Sequence, residues 1–236
     1  MQKKLTLTAS GRLLDLVGAT LYSSYEKAIS ELVINGYDAD ATTVDVTIEK
    51  KSIIIKDNGS GLNLNDIENY CILGGNTKRT DSPKRTALKR LPIGSKGIGK
   101  VAGFGIANLM EISTVKNAER HTFTLDKTKF DAAKSLSEAG FIVNTVPGRG
   151  NGTTITLTNF QPHLTRQKFD LAKLRSFLAR EIPRAADFIV TVNGKACSIT
   201  DIPEKRKVEI DMNIPLCGQI KGSIIIANQP LESPGM

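Results

Sequence analysis

Between Tyr25 and Asp38 the chain carries two stripes at helical spacing, and directly afterwards it switches to the spacing of strands. Tyr25, Ala28, Ile29, Leu32 and Val33 fall on an apolar stripe, whereas Glu31, Asn35 and Asp38, at i, i+4 and i+7, fall on a polar one. Ser23 or Ser24 can cap the start of this helix. Thr43 to Glu49 and Ser52 to Lys56 are short β-branched runs around Lys50-Lys51, which predicts a hairpin.

The rest of the chain extends this pattern. Asn65 to Ile72 predicts a short helix capped by Asn65, and Ile98 to Met110 an apolar helix. Four strands are expected at Met110 to Val115, His121 to Leu125, Phe141 to Val146 and Thr153 to Thr158, then an amphipathic helix over Phe169 to Ile182. Phe188 to Val192 and Val208 to Met212 read as strands, with a turn at Asn193-Gly194. Helices followed by an antiparallel run imply an α+β sandwich and not a doubly wound sheet. Gly222 to Ala227 reads as a buried strand with nine residues after it, so a cut inside or at the start of a second domain is expected. The expected division is 1–185 for the first domain and 186–236 for a strand-rich segment opening the second.

Composition narrows the class. The chain has 236 residues, enough to bury a core, with 40% hydrophobic and 24% charged residues. No apolar run approaches the ~20 residues that span a bilayer, and the start lacks a signal peptide's apolar region. Cys71, Cys197 and Cys217 are scattered and odd in number, which suggests neither a disulfide framework nor a zinc knuckle; a reducing cytoplasm is the expected location. His121 and His163 are isolated and read as structural or surface residues.

The net charge of +8 is concentrated. Lys78, Arg79, Lys84, Arg85, Lys89, Arg90, Lys96 and Lys100, set against Asp81 alone, supply +7 of it. Such a segment is either a solvated basic loop or one that covers a polyphosphate or meets nucleic acid. Residues 74–97 form an unusually long irregular connection, the kind that serves as a lid or stays disordered. The run leads into Gly94-Ser95-Lys96-Gly97-Ile98-Gly99-Lys100-Val101, which nearly satisfies the P-loop pattern. Val101 stands where that pattern needs Ser or Thr, and no strand precedes the loop. The better reading places backbone N–H groups of Gly97 to Val101 at a helix N-terminus, where they favour phosphate, with Lys96 or Lys100 adding charge.

Asp57-Asn58-Gly59-Ser60-Gly61 follows the apolar strand Ile53-Ile54-Ile55. Asn58-Gly59 alone would be a hairpin turn. A carboxylate at Asp57 is acceptor-only, so it can take a hydrogen bond from the exocyclic amine of adenine, which guanine lacks at that position. Gly61 lets a base approach backbone closely.

In this order the motifs resemble the GHKL superfamily of ATPases: gyrase B subunits, heat-shock-ninety chaperones, MutL, MORC proteins and histidine-kinase catalytic domains. The resemblance covers roughly residues 20–160, on Glu31 to Ala39, Asp57 to Leu62, Gly94 to Gly99 and Gly152-Thr153-Thr154. It implies a Bergerat-type two-layer α/β sandwich, with helices and an ATP lid over a mixed, mainly antiparallel sheet. It further implies Glu31 as general base for the water attacking the γ-phosphate, and Asn35 as ligand to a Mg²⁺ shared with ATP. Asp38, Ala39, Asp57, Gly61, Leu62, the loop from Gly94 to Val101 and Thr153 would line the nucleotide, Thr153 supporting the adenine. Gly74, Gly75, Thr77 and Lys78 would belong to the lid. ATP-dependent homodimerisation of a longer protein is expected, with nucleic acid or a client protein as partner and no membrane. Gyrase and MutL relatives complete the site with a lysine from a second domain, so slow hydrolysis is expected here. The alternatives are a histidine-kinase catalytic domain, disfavoured by Glu31 and the basic lid, and a nucleic-acid module, disfavoured by 5% aromatics and no Trp.

Overall fold

A computed structural model describes residues 1–6, 8–9, 24–70, 72–73, 85–94, 99–132, 140–165, 168–183, 185–198, 201, 204–215 and 218–227. In chain order the elements are β1 (Gln2–Thr6), β2 (Thr8–Ala9), α1 (Tyr25–Asp38), β3 (Thr43–Ile48), β4 (Ser52–Asp57), α2 (Leu64–Tyr70) and β5 (Ile72–Leu73). A 3-10 helix (Gly99–Gly105) precedes β6 (Ala107–Lys116), β7 (Glu119–Asp126), α3 (Lys127–Ala132), β8 (Gly140–Pro147) and β9 (Gly152–Phe160). The remainder is α4 (Pro162–Thr165), α5 (Leu171–Glu181), β10 (Ile189–Val192), β11 (Lys195–Ala196), β12 (Glu204–Ile214) and β13 (Gly218–Ala227).

Nine strands form one sheet in the order β1-β8-β7-β6-β9-β4-β3-β10-β11. Every pairing in it is antiparallel except β3 with β10. This is the mixed, mainly antiparallel α+β sandwich expected of the fold. Strand alternation divides the sheet into two faces. Val44, Val46, Ile53, Ile55, Ile112, Ile155 and Leu157 turn inward and are buried with Ile29, Leu32 and Val33 of α1 and Leu174 and Leu178 of α5. Burying each such side chain contributes roughly 1.5–3 kcal/mol. The opposite face carries Asp45, Lys56, Glu111, Thr154, Thr156 and Thr158, none of them buried.

Local chemistry accounts for the helix ends. Ser24 caps α1, its hydroxyl accepting from Lys27 N at 3.3 Å, and Asp170 caps α5 through the amides of Ala172 and Lys173. At the far end of α1, Ala39 N donates to Asn35 O at 3.0 Å, and Asp40 then turns the chain at φ 60. At Gly36 an added Cβ would lie 2.8 Å from Val44 Cγ2 and 3.2 Å from Asp57 Cβ. Glycine there lets α1 settle directly onto β3 and β4.

Four expectations are corrected. The cap of α2 is Asn63, not Asn65: Asp66 N donates to Asn63 Oδ1 at 2.9 Å and Asn63 N to Asp66 Oδ2 at 3.0 Å, a reciprocal box. Ile98 to Met110 is not one helix, because the 3-10 turn ends at Gly105 and the chain enters β6 at Ala107. Three glycines weaken an α-helix here, and Gly103 passes so near the sheet that a Cβ would lie 2.6 Å from Leu157 Cδ2. Residue 186 is no boundary within the sheet, since β10 pairs in parallel with β3 in the register Ile189 to Thr43. Finally, β13 is not buried: β12 and β13 pair with each other as a separate ribbon, and Ile220, Ile224 and Ile226 are exposed.

Candidate nucleotide site

Sheet register brings Asp57, Thr153 and Thr114 together. Asp57 closes β4 opposite Thr153 of β9, and Thr153 in turn faces Thr114 of β6. All three share the alternation of Ile55, Ile155 and Ile112, so they lie on the helix-bearing face. Asp57 Oδ1 accepts from Gly59 N at 2.8 Å and from Thr153 N at 3.2 Å. Among the described residues both bonds fall on Oδ1, which leaves Oδ2 for a ligand donor. Burial pushes the Asp57 carboxyl above its ordinary range, outweighing these two backbone bonds, which act to lower it. A half-buried carboxylate with one uncommitted oxygen can accept a further donor.

The turn after β4 is shaped for close approach. Gly61 adopts φ 65, and a side chain there would collide with the Val115 carbonyl. Leu62 N donates to Thr114 Oγ1 at 2.8 Å, and Thr114 Oγ1 lies 3.1 Å from Thr153 Oγ1. Ala39 touches the same turn from α1: its carbonyl accepts from Ser60 N at 2.8 Å. Asn58 faces away, binding the amides of Thr42 and Thr43 through its side-chain oxygen.

The phosphate end is built on α1. A Cβ at Gly99 would sit 2.9 Å from Glu31 Oε2 and 3.8 Å from Asn35 Oδ1, so the exit of the glycine loop rests on both side chains. Asp38 takes the entry: Oδ1 accepts from Ile93 N at 2.8 Å and Oδ2 from Gly94 N at 3.0 Å. Ser95, Lys96, Gly97 and Ile98 lie outside the described residues, as do lid residues Gly74, Gly75, Thr77 and Lys78. Val101 is buried in the core, and Lys100 Nζ reaches Asn69 O at 3.3 Å, 5.3 Å from the Tyr70 ring centre. The short 3-10 helix after Gly99 offers phosphate a weaker dipole than the α-helix expected there.

Around the carboxylate of Glu31, Lys27 Nζ stands 3.7 Å away and also 3.5 Å from Glu181 of α5. Among the described residues Asn35 Nδ2 is buried with no hydrogen-bond partner. No cluster of three or more His, Cys, Asp or Glu residues that could hold a metal occurs among the described residues. One amide oxygen beside a carboxylate fits Mg²⁺ carried in on a nucleotide, since that ion keeps waters and phosphate oxygens as ligands. It does not fit a metal resident without nucleotide.

Sequence reasoning missed Thr114, which ties Leu62 to Thr153, and Arg90, which is buried beneath the loop entry. For Thr114 no signal was present beyond its place in a β-branched run. Arg90 was visible only as one of eight cations.

Residues 22–153, more than half of the chain, match the family described as histidine kinase-, DNA gyrase B-, and HSP90-like ATPase. The chain belongs to that family. A protein described as "Putative type II restriction enzyme HgiDII" from Herpetosiphon aurantiacus is 32% identical over 196 residues, covering 80% of this chain and 31% of that protein. The chaperone protein HtpG of Borrelia garinii subsp. bavariensis is 28% identical over 165 residues, 58% of this chain and 26% of the chaperone. The mouse ATPase MORC2B is 38% identical over 84 residues, 31% of this chain and 8% of that protein. The chain thus spans less than a third of the length of these curated relatives. As a member of this ATPase family it carries an ATP-binding domain, and among the described residues no helix is long and apolar enough to cross a membrane.

Proposed function

We propose that this chain binds ATP with Mg²⁺ and hydrolyses it slowly to ADP and phosphate. The observation that carries the reading is the meeting of three distant segments. Gly99 lies on Glu31 and Asn35 of α1, Asp38 holds Ile93 and Gly94, and Asp57 faces the same side of the sheet with a free carboxylate oxygen. In this reading Asp57 accepts from the adenine amine while Thr153 and Thr114 support the ring. Backbone amides of the glycine loop take the phosphates. Mg²⁺, when bound with the nucleotide, neutralises phosphate charge as γ-phosphoryl transfer proceeds, and Asn35 would be its protein ligand. Glu31 then orients the attacking water and accepts its proton.

Turnover would be coupled to closure of a lid around residues 74–97 and to homodimerisation of a longer protein, with the ribbon of β12 and β13 opening a second, transducer-like domain. The restriction-enzyme description of one relative makes nucleic acid a natural partner to test, and the chaperone description of another makes a client protein the competing one. Isothermal titration with ATP and GTP, each with and without Mg²⁺, tests the core of the proposal. ATP should bind, GTP should bind at least about tenfold more weakly for want of the amine donor, and removing Mg²⁺ should weaken ATP. Equal affinity for the two nucleotides would overturn the role given to Asp57.

A further inference from the structure

Among the described residues Arg90 is the only buried lysine or arginine, at 6% exposure. Both terminal nitrogens of its guanidinium are bonded, while among the described residues the buried Nε has no hydrogen-bond partner. Nη1 donates to Ala41 O at 2.7 Å and Tyr37 O at 3.3 Å, carbonyls at and just past the C-terminal end of α1. Nη2 donates to Asp187 Oδ2 at 2.7 Å and Asp187 O at 3.3 Å, in the segment leading into β10. The Tyr37 ring centre lies 4.5 Å from its central carbon and that of Phe188 5.4 Å. Its backbone is closed into a knuckle: Arg90 N donates to Thr86 Oγ1 at 3.1 Å, Thr86 N to Arg90 O at 3.0 Å, and Lys89 sits at φ 62.

A desolvated cation with one half-exposed carboxylate partner is a poor way to gain stability, since apolar groups of similar volume usually serve as well. What such a group supplies is a fixed geometry. Here the geometry matters, because three residues beyond Arg90 the chain delivers Ile93 N and then Gly94 N to the Asp38 carboxylate.

We propose that Arg90 is a positioning residue for phosphate binding, fixing the entry of the glycine loop against the end of α1. It rests on the reading above that phosphates lie on that loop. The chain therefore holds the loop at three places: Arg90 and Asp38 on the way in, and Gly99 against Glu31 and Asn35 on the way out. The guanidinium fork is essential to this, because its two terminal nitrogens bond three carbonyls and a carboxylate, more acceptors than the three protons of an ammonium can meet.

The test compares the full chain with Arg90→Lys. Amide exchange at Ile93 and Gly94 should quicken about tenfold or more, while Ile53 and Ile55 in the core stay protected. Affinity for ATP should fall about tenfold, on the scale of one charge-assisted hydrogen bond, with adenosine affinity by NMR titration within about twofold. Equal losses for ATP and adenosine would mark a merely structural role and overturn the proposal, as would unchanged ATP affinity with both amides still protected. Should Arg90→Lys fail to fold, Asp187→Asn keeps the bonds to the carbonyls of Tyr37 and Ala41 and is expected to give the same selective loss at about threefold; no selectivity there overturns the idea equally. If the unaltered chain bound no ATP, the nucleotide reading would fall, and the exchange rates of Ile93 and Gly94 would still decide whether Arg90 sets the loop.

Discussion

Replacing Asp57 with Asn separates two demands made of one carboxylate. In the empty pocket burial lifts its pKa, and the bonds from Gly59 and Thr153 only partly offset this. A raised folded-state value means that the native chain holds the proton to a higher pH than the unfolded chain does. Within that window the native state binds more protons, so stability falls as pH rises through it, and the penalty is complete at neutral pH. Each pKa unit of lift corresponds to about 1.4 kcal/mol. The amide keeps an oxygen for both backbone donors and sacrifices their charge assistance, roughly 1 kcal/mol apiece. Since burial outweighs those bonds in the parent, nucleotide-free Asp57→Asn should be at least as stable at neutral pH. A gain of about 1 kcal/mol would raise Tm by roughly 2–4 °C in a chain of this size. The gain should shrink as pH falls through the raised folded-state value and vanish below about pH 4, the ordinary carboxyl range.

With nucleotide the order reverses. ATP at a hundred times its Kd adds about 2.7 kcal/mol to the parent and far less to a variant that no longer accepts from the adenine amine. Melting curves from about pH 4 to about pH 8, with and without MgATP, give both comparisons in one series. A nucleotide-free variant that melts well below the parent at neutral pH would mean that the two backbone bonds dominate, and the idea of a pocket strained until filled would fail. Equal stabilisation of both proteins by ATP would remove Asp57 from base recognition.

Glu31→Ala should leave ATP affinity within a few-fold and lower hydrolysis by roughly 10²–10⁴, read by phosphate release; undiminished turnover would end its role as general base. Gly99→Ala places a methyl 2.9 Å from the tip of Glu31, a flexible group that can move aside, so denaturant unfolding should change by less than about 1 kcal/mol while kcat falls. Gly61→Ala forces a side chain into φ 65 and onto the Val115 carbonyl, so urea unfolding should show a loss of at least about 2 kcal/mol, with ATP binding weakened alongside it.

The parts of the fold that were legible are those set by local period. The two stripes of α1 and the alternation through β3 and β4 survive because packing and periodicity agree there. Where the two conflict, the sequence misleads. The apolar spacing after Ile98 reads as a helix, yet Gly103 must pass against Leu157 and the chain is drawn into β6. The isoleucines of β13 read as core, yet Ile220, Ile224 and Ile226 form one exposed face of a two-stranded ribbon, with Ile225 and Lys221, the latter paired to Asp211, on the other. The joining of Ile189 to Thr43 leaves no local trace at all, because a parallel pairing so distant in sequence depends on the whole sheet being in place. In the proposed site, residue type marks Asp57 and Glu31 as candidates, but charge counting cannot tell which of eight cations will be desolvated, and Arg90 was hidden for that reason.

One helix acts as the reference for most of the site. Glu31 and Asp38 are seven residues apart, about 10 Å along the axis, and they meet the exit and the entry of the glycine loop respectively. Asn35 lies between them on the same face. A displacement of α1 would carry Glu31, Asn35 and Asp38 together, preserving their mutual geometry. Asp57 belongs instead to β4, so in the proposed reading the seating of α1 on the sheet affects the distance between the residues assigned to the base and those assigned to the phosphates. That seating is closest at Gly36, where the missing side chain admits Val44 and Asp57. In the proposed reading, the contact that seats α1 on the sheet therefore also lies against Asp57, the carboxylate assigned to the base.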